Sequence, residues 1–126
     1  LVIMNNIFEH IVSPISVILN VNKVLKKNGY LIISTPNRYR LSSLLSCLTG
    51  NKVNLISLNH ITEYSIGQIV EILKYTGFKL NEIKTVKLKQ EKLKHRFIYA
   101  LINIYLKIIK SHNRLDDTVF YTAQKP

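Results

Sequence analysis

Two short apolar runs flanking an amphipathic stretch, all within the first 34 residues, constrain the fold of this chain more than any other feature. Leu1-Val2-Ile3-Met4, a strand that Asn5 closes, is an unbroken apolar run of the kind found in parallel strands buried on both faces. Ser13-Pro14 then reads as a helix start, with serine as N-cap and proline at the first helical position, where its missing N–H costs nothing. Ile15, Ile18, Val21, Val24 and Leu25 recur at helical spacing, and Asn20, Asn22, Lys23 and Lys26 cover the other side. This spacing puts Lys26 and Lys27 in the last turn, with Gly29 just beyond it as C′ residue. Tyr30-Leu31-Ile32-Ile33-Ser34 is too short and too β-branched for a helix and reads as a second strand. A strand, a helix and a strand this close together predict a parallel pair joined by a right-handed crossover.

The remaining pattern supplies further elements. Pro36 ends the second strand, and Leu41, Leu44, Leu45 and Leu48 mark a short helix closed by Gly50. Residues 51–62 are polar and irregular, a loop. Ser65-Ile66-Gly67-Gln68 is a capping-box pattern that opens a helix over 66–76 and stops at Gly77. Phe78 to Leu88 alternates enough to read as a third strand, residues 90–110 as a basic helix, and Thr118 to Ala123 as a last strand. At 126 residues this is one small domain. The single cysteine, Cys47, excludes an internal disulfide and offers no zinc spacing, so it is read as a small apolar helix residue. No leader pattern and no apolar run long enough to span a bilayer is found, and the expected location is cytoplasmic, with peripheral attachment at the membrane as the alternative.

In an open parallel sheet, ligands bind outside the carboxyl ends of the strands. Asn5-Asn6-Ile7-Phe8-Glu9-His10 leaves the carboxyl end of the first strand, and Ser34-Thr35-Pro36-Asn37 leaves that of the second. Topology alone therefore brings both segments to one edge. Taken in order with Lys26-Lys27-Asn28-Gly29 between them and His60-Ile61-Thr62-Glu63-Tyr64-Ser65 after them, these motifs resemble the second half of the class I S-adenosylmethionine-dependent methyltransferase domain, in its type 11 and type 23 branch. The resemblance covers residues 1–83 and, less closely, 118–126.

That resemblance implies an α/β fold: the C-terminal half of a Rossmann-like domain, with a mixed sheet of about four strands and flanking helices. Residues 1–126 would form a partial methyltransferase domain, with 84–114 as a basic helical insertion before the last strand. It further implies that Asn5, Asn6, Ile7 and Phe8 lie against the methionine part of S-adenosylmethionine. His60, His10 and Glu9 become the catalytic candidates, since a hydroxyl nucleophile needs a base and histidine suits that role near neutral pH. The plainer reading of His60 is a loop histidine bonded to Glu63. In ring-hydroxyl methyltransferases of this branch an E-x-x-E-H pattern accompanies a divalent metal, but Asn6 stands at its first glutamate, so no metal is expected. The family's glycine-rich turn and its ribose-binding acidic residue have no counterpart here. The polypeptide is therefore expected to bind S-adenosylmethionine very weakly or not at all by itself, as a fragment of an enzyme acting on a small-molecule, lipid or glycan acceptor. The alternative is an inactive remnant serving as a binding module through residues 90–110.

Charge singles out the same segment. The net charge is +11, and from Lys84 to Arg114 nine lysines or arginines face one acidic residue, Glu91. Three uses compete: a lid or dimer face, interfacial docking on an anionic membrane, and, less favoured, nucleic-acid contact.

Overall fold

The computed structural model describes residues 1–87, 93–111 and 114–126, with the side chains of the 93–111 segment described from Arg96 onward. Its elements are β1 (Val2–Asn5), a 3₁₀ turn (Phe8–His10), α1 (Pro14–Val24), β2 (Tyr30–Pro36), α2 (Leu41–Leu48), α3 (Ile66–Tyr75), β3 (Lys79–Val86), α4 (Leu93–Ile108) and β4 (Thr118–Gln124). The sheet order is β1-β2-β4-β3. β1 and β2 run parallel, Val2 opposite Leu31, while β4 inserts antiparallel between β2 and β3. The mixed four-stranded sheet expected from the sequence is thus the sheet that forms. Leu88 and residues 90–92, which the sequence assigned to the third strand and the basic helix, lie outside the described residues.

One core joins the layers. Leu31, Ile33, Val119, Tyr121 and Ala123 from the sheet meet Ile18 and Leu25 beside α1 and Ile66, Ile69 and Leu73 from α3. β2 is central, so from Ile33 to Pro36 every residue is buried. β1 pairs only with β2 among the described residues, and Ile3 on it is 59% exposed.

The α1 end corrects three expectations. Ser13 makes no side-chain cap bond; its hydroxyl instead donates to Ser16 Oγ at 2.9 Å. The helix stops at Val24, a residue that is largely exposed, so Lys26 and Lys27 lie beyond its last turn. Lys125, a hundred residues away, takes their place: its Nζ donates to Asn22 O at 2.6 Å and Leu25 O at 2.8 Å, a cation on the orphan carbonyls of the helix end. Asn28, at φ 62°, makes the left-handed turn in place of Gly29. Gly29 is needed for close approach, because a Cβ there would sit 2.0 Å from Leu25 Cδ2 and 2.7 Å from Lys26 O. The capping box at α3 forms as expected, Gln68 N donating to Ser65 Oγ and Ser65 N to Gln68 Oε1.

Tyr121 is fully buried, and its hydroxyl has no partner among the described residues. Burial pushes its pKa well above the usual tyrosine range, and Tyr64 shifts the same way for the same reason. The folded state keeps Tyr121 neutral while the unfolded chain ionises above about pH 10. Stability from this group is therefore intact below pH 10 and falls by up to about 1.4 kcal/mol per pH unit above it. Denaturant titrations at pH 7 and pH 11 should show Tyr121→Phe as stable as wild type or more so at neutral pH, with a shallower alkaline loss. Equal alkaline slopes in the two proteins would refute this.

Candidate active site

The chain leaves β1 through Asn6, whose φ of 50° is a left-handed conformation that asparagine tolerates. Asn6 N donates to Ser34 O and Ser34 Oγ, both at 3.1 Å, and Ser34 Oγ donates in turn to Asn5 Oδ1. The loop is thereby stitched to β2. In the following 3₁₀ turn, Phe8 is fully buried, its ring tilted against Tyr64 with centroids 5.1 Å apart. Its side chain belongs to the core and anchors the loop, whereas Ile7 is half exposed. Glu9 follows, 1% exposed, with one carboxylate oxygen, Oε2, lacking any partner among the described residues.

A second loop completes the site. Ile61 N and Thr62 N donate to Glu9 O at 2.9 and 3.2 Å, which carries His60 over the 3₁₀ turn. His60 Nδ1 stands 3.3 Å from Glu63 Oε1, and its Nε2 lies 4.0 Å from Glu9 Oε1. His10 Nδ1 donates to Asn59 O at 2.9 Å, leaving its Nε2 as the lone-pair nitrogen. The two imidazoles meet edge to face, centroids 4.9 Å apart. Glu9, His10 and His60 each bring one donor atom to within 4.8 Å of the others.

Glu63 is held from behind. Arg40 and Glu63, both buried, form an ion pair, and Ile56 N also donates to Glu63 Oε1. Arg40 donates further to Asn37 O at 3.2 Å and Asn54 O at 3.0 Å, tying the loop 51–62 to the end of β2. Asn37 braces the opposite wall: its Nδ2 donates to Arg114 O and Asp116 O, fixing the approach to β4. These walls border an open cavity of about 280 Å³, lined by Asn6, Glu9, His10, Arg40, Ile56, His60 and Asp117 among others.

The site thus unites Glu9, His10 and His60 with Asn6. Asn5 sits one residue back on the Ser34 hydroxyl, and Phe8 is turned into the core. Arg40 and Asp117 were not singled out in the sequence, where no spacing marks them. The expectation of no metal rested on Asn6 alone and did not count His60 as a donor. Such a set can move a proton at a substrate oxygen or hold a cation.

The methyltransferase-domain family matches residues 1–83 of the sequence. The chain belongs to that family. No curated protein matches it. Among solved structures, this methyltransferase domain is similar to an S-adenosylmethionine-dependent methyltransferase from Archaeoglobus fulgidus, at TM-score 0.63 and 18% identity over 98% of this chain and 57% of that one. A small RNA methyltransferase is 13% identical at TM-score 0.62, with 98% of this chain and 13% of that chain covered. Phosphoethanolamine N-methyltransferase 2 of Haemonchus contortus is 17% identical at TM-score 0.53, over 98% of this chain and 33% of that chain. At these identities the likeness concerns the fold. The domain spans little more than half the length of the Archaeoglobus protein.

Proposed function

We propose that this methyltransferase domain supplies the acceptor side of an S-adenosylmethionine-dependent methyl transfer to a hydroxyl group. The observation that carries the reading is the orientation of His60, with Nδ1 on Glu63 and Nε2 toward Glu9 in the lining of the cavity. S-adenosylmethionine, when bound, supplies an already activated methyl group. Asn6 and Ile7, which follow β1, would meet its methionine part. The domain's own task is then to position the hydroxyl and remove its proton. The acceptor proton passes to His60 Nε2 as the oxygen–carbon bond forms and the carbon–sulfur bond breaks, and Glu63 holds the ring through Nδ1. Ile56 in the wall, with Leu55, Leu58 and Ile61 exposed beside it, suits an acceptor with an apolar part, small or lipid-linked.

The test is transfer of labelled methyl to a panel of phenolic and lipid-linked hydroxyl acceptors. It uses the protein with whatever sequence its gene places before Leu1. A folded protein that binds S-adenosylmethionine and labels none of them overturns the hydroxyl reading and favours a binding module. The 126-residue polypeptide by itself is expected to bind S-adenosylmethionine only weakly, since it lacks a glycine-rich turn; a micromolar dissociation constant by calorimetry would contradict that.

A second reading rests on Glu9 Oε2, a buried carboxylate oxygen with no partner among the described residues. Glu9, His10 and His60 fit a first-row divalent cation, with Nδ1 of each histidine oriented by an oxygen, as imidazole ligands usually are. Such an ion would polarise the acceptor oxygen. Zn²⁺ titration should then give a calorimetric signal weakened about tenfold or more in Glu9→Gln and His10→Ala. Heat that is absent, or unchanged in both variants, eliminates the metal.

A further inference from the structure

α4 carries an apolar stripe that nothing in the described structure covers. Phe97, Leu101, Ile104, Tyr105 and Ile108 are spaced so that one side of the helix presents all five, and their exposures run from 52% at Leu101 to 73% at Ile108. The opposite side is oriented by Tyr99, whose hydroxyl donates to Asp116 Oδ1 just before β4 and whose ring lies under Lys87 Nζ at 3.6 Å. Ile98, Ile102 and Leu106 on that side are half-buried. The stripe therefore points outward because its back is tethered.

Charge decides what it meets. Arg96 and Lys107 are exposed along one flank of the stripe, Lys110 follows its end, and the segment 84–114 carries a net +8. We propose that α4 docks the protein on the surface of an anionic lipid bilayer, lying in the headgroup plane with the stripe inserted and the cations on the lipid phosphates. At 16 residues α4 is about 24 Å long, and no helix among the described residues is long and apolar enough to cross a membrane. Phe97 and Tyr105 are side chains suited to an interface with one apolar and one wet side. An RNA partner would engage the cations and leave five apolar side chains in water. The docking surface is independent of the methyl-transfer reading.

The test is co-sedimentation with vesicles of phosphatidylcholine, with and without phosphatidylglycerol. Binding should require phosphatidylglycerol and fall as salt is raised. Two variants, Phe97→Ser with Ile104→Ser and Ile108→Ser, and Arg96→Glu with Lys107→Glu, should each weaken binding about tenfold or more while circular dichroism stays unchanged. The wild-type lipid and salt comparison decides the question even if a variant fails to fold. Equal binding to both vesicle types overturns the proposal. So does RNA binding without vesicle binding, or self-association through the stripe without vesicle binding.

Discussion

Arg40→Met is expected to destabilise the domain by about 3–5 kcal/mol, a large fraction of the stability of a typical domain. Arg40 and Glu63 are buried together, and removing the guanidinium leaves a carboxylate out of water with, among the described residues, Ile56 N–H and His60 as its remaining partners. The same substitution releases Asn37 O and Asn54 O, so the loop 51–62 loses its tie to β2. The double variant Arg40→Met with Glu63→Leu should recover a substantial part of the loss, since it leaves no uncompensated charge. Denaturant midpoints of the two variants and wild type make the comparison. If the single and double variants unfold alike, the cost does not come from a stranded charge.

His60→Ala should lower the rate of methyl transfer by about 10²–10⁴-fold, the usual worth of a positioned general base. The loss belongs in kcat, with the KM for S-adenosylmethionine little changed, because the residues proposed to meet the cofactor lie on the other loop. Glu63→Gln should slow the reaction less, as it disturbs the ring's orientation and leaves the imidazole present. Added imidazole should partly restore His60→Ala, a response that a merely structural histidine does not give. Turnover that survives the substitution undamaged would remove His60 from the base role while leaving the fold untouched.

Local patterns made most of the frame legible. The apolar run at β1, the β-branched run at β2, the capping box at Ser65 and the helical leucine spacing of α2 each report a periodicity or a cap chemistry that acts over a few residues. The α1 terminus was misplaced because two lysines and a glycine nearby looked like a local stop, whereas the stop is made by Lys125 from the far end of the chain. The place of Phe8 in a motif is legible in the sequence, but its side chain's direction within a 3₁₀ turn depends on what it packs against, here Tyr64.

By itself, the sequence determined the order of elements, the parallel β1–β2 pair, the edge to which the two motifs run, and the family. Each depends on contacts or spacings close in the chain. Only the tertiary structure decided that Glu9 and His60, about fifty residues apart, face each other across 4.0 Å, and that Arg40 holds Glu63 behind them. It also decided that α4 turns its apolar side outward, since that depends on Tyr99 reaching Asp116. Pairings of this kind arise where separate loops are folded against one sheet edge and a buried charge must find a partner wherever the fold provides one.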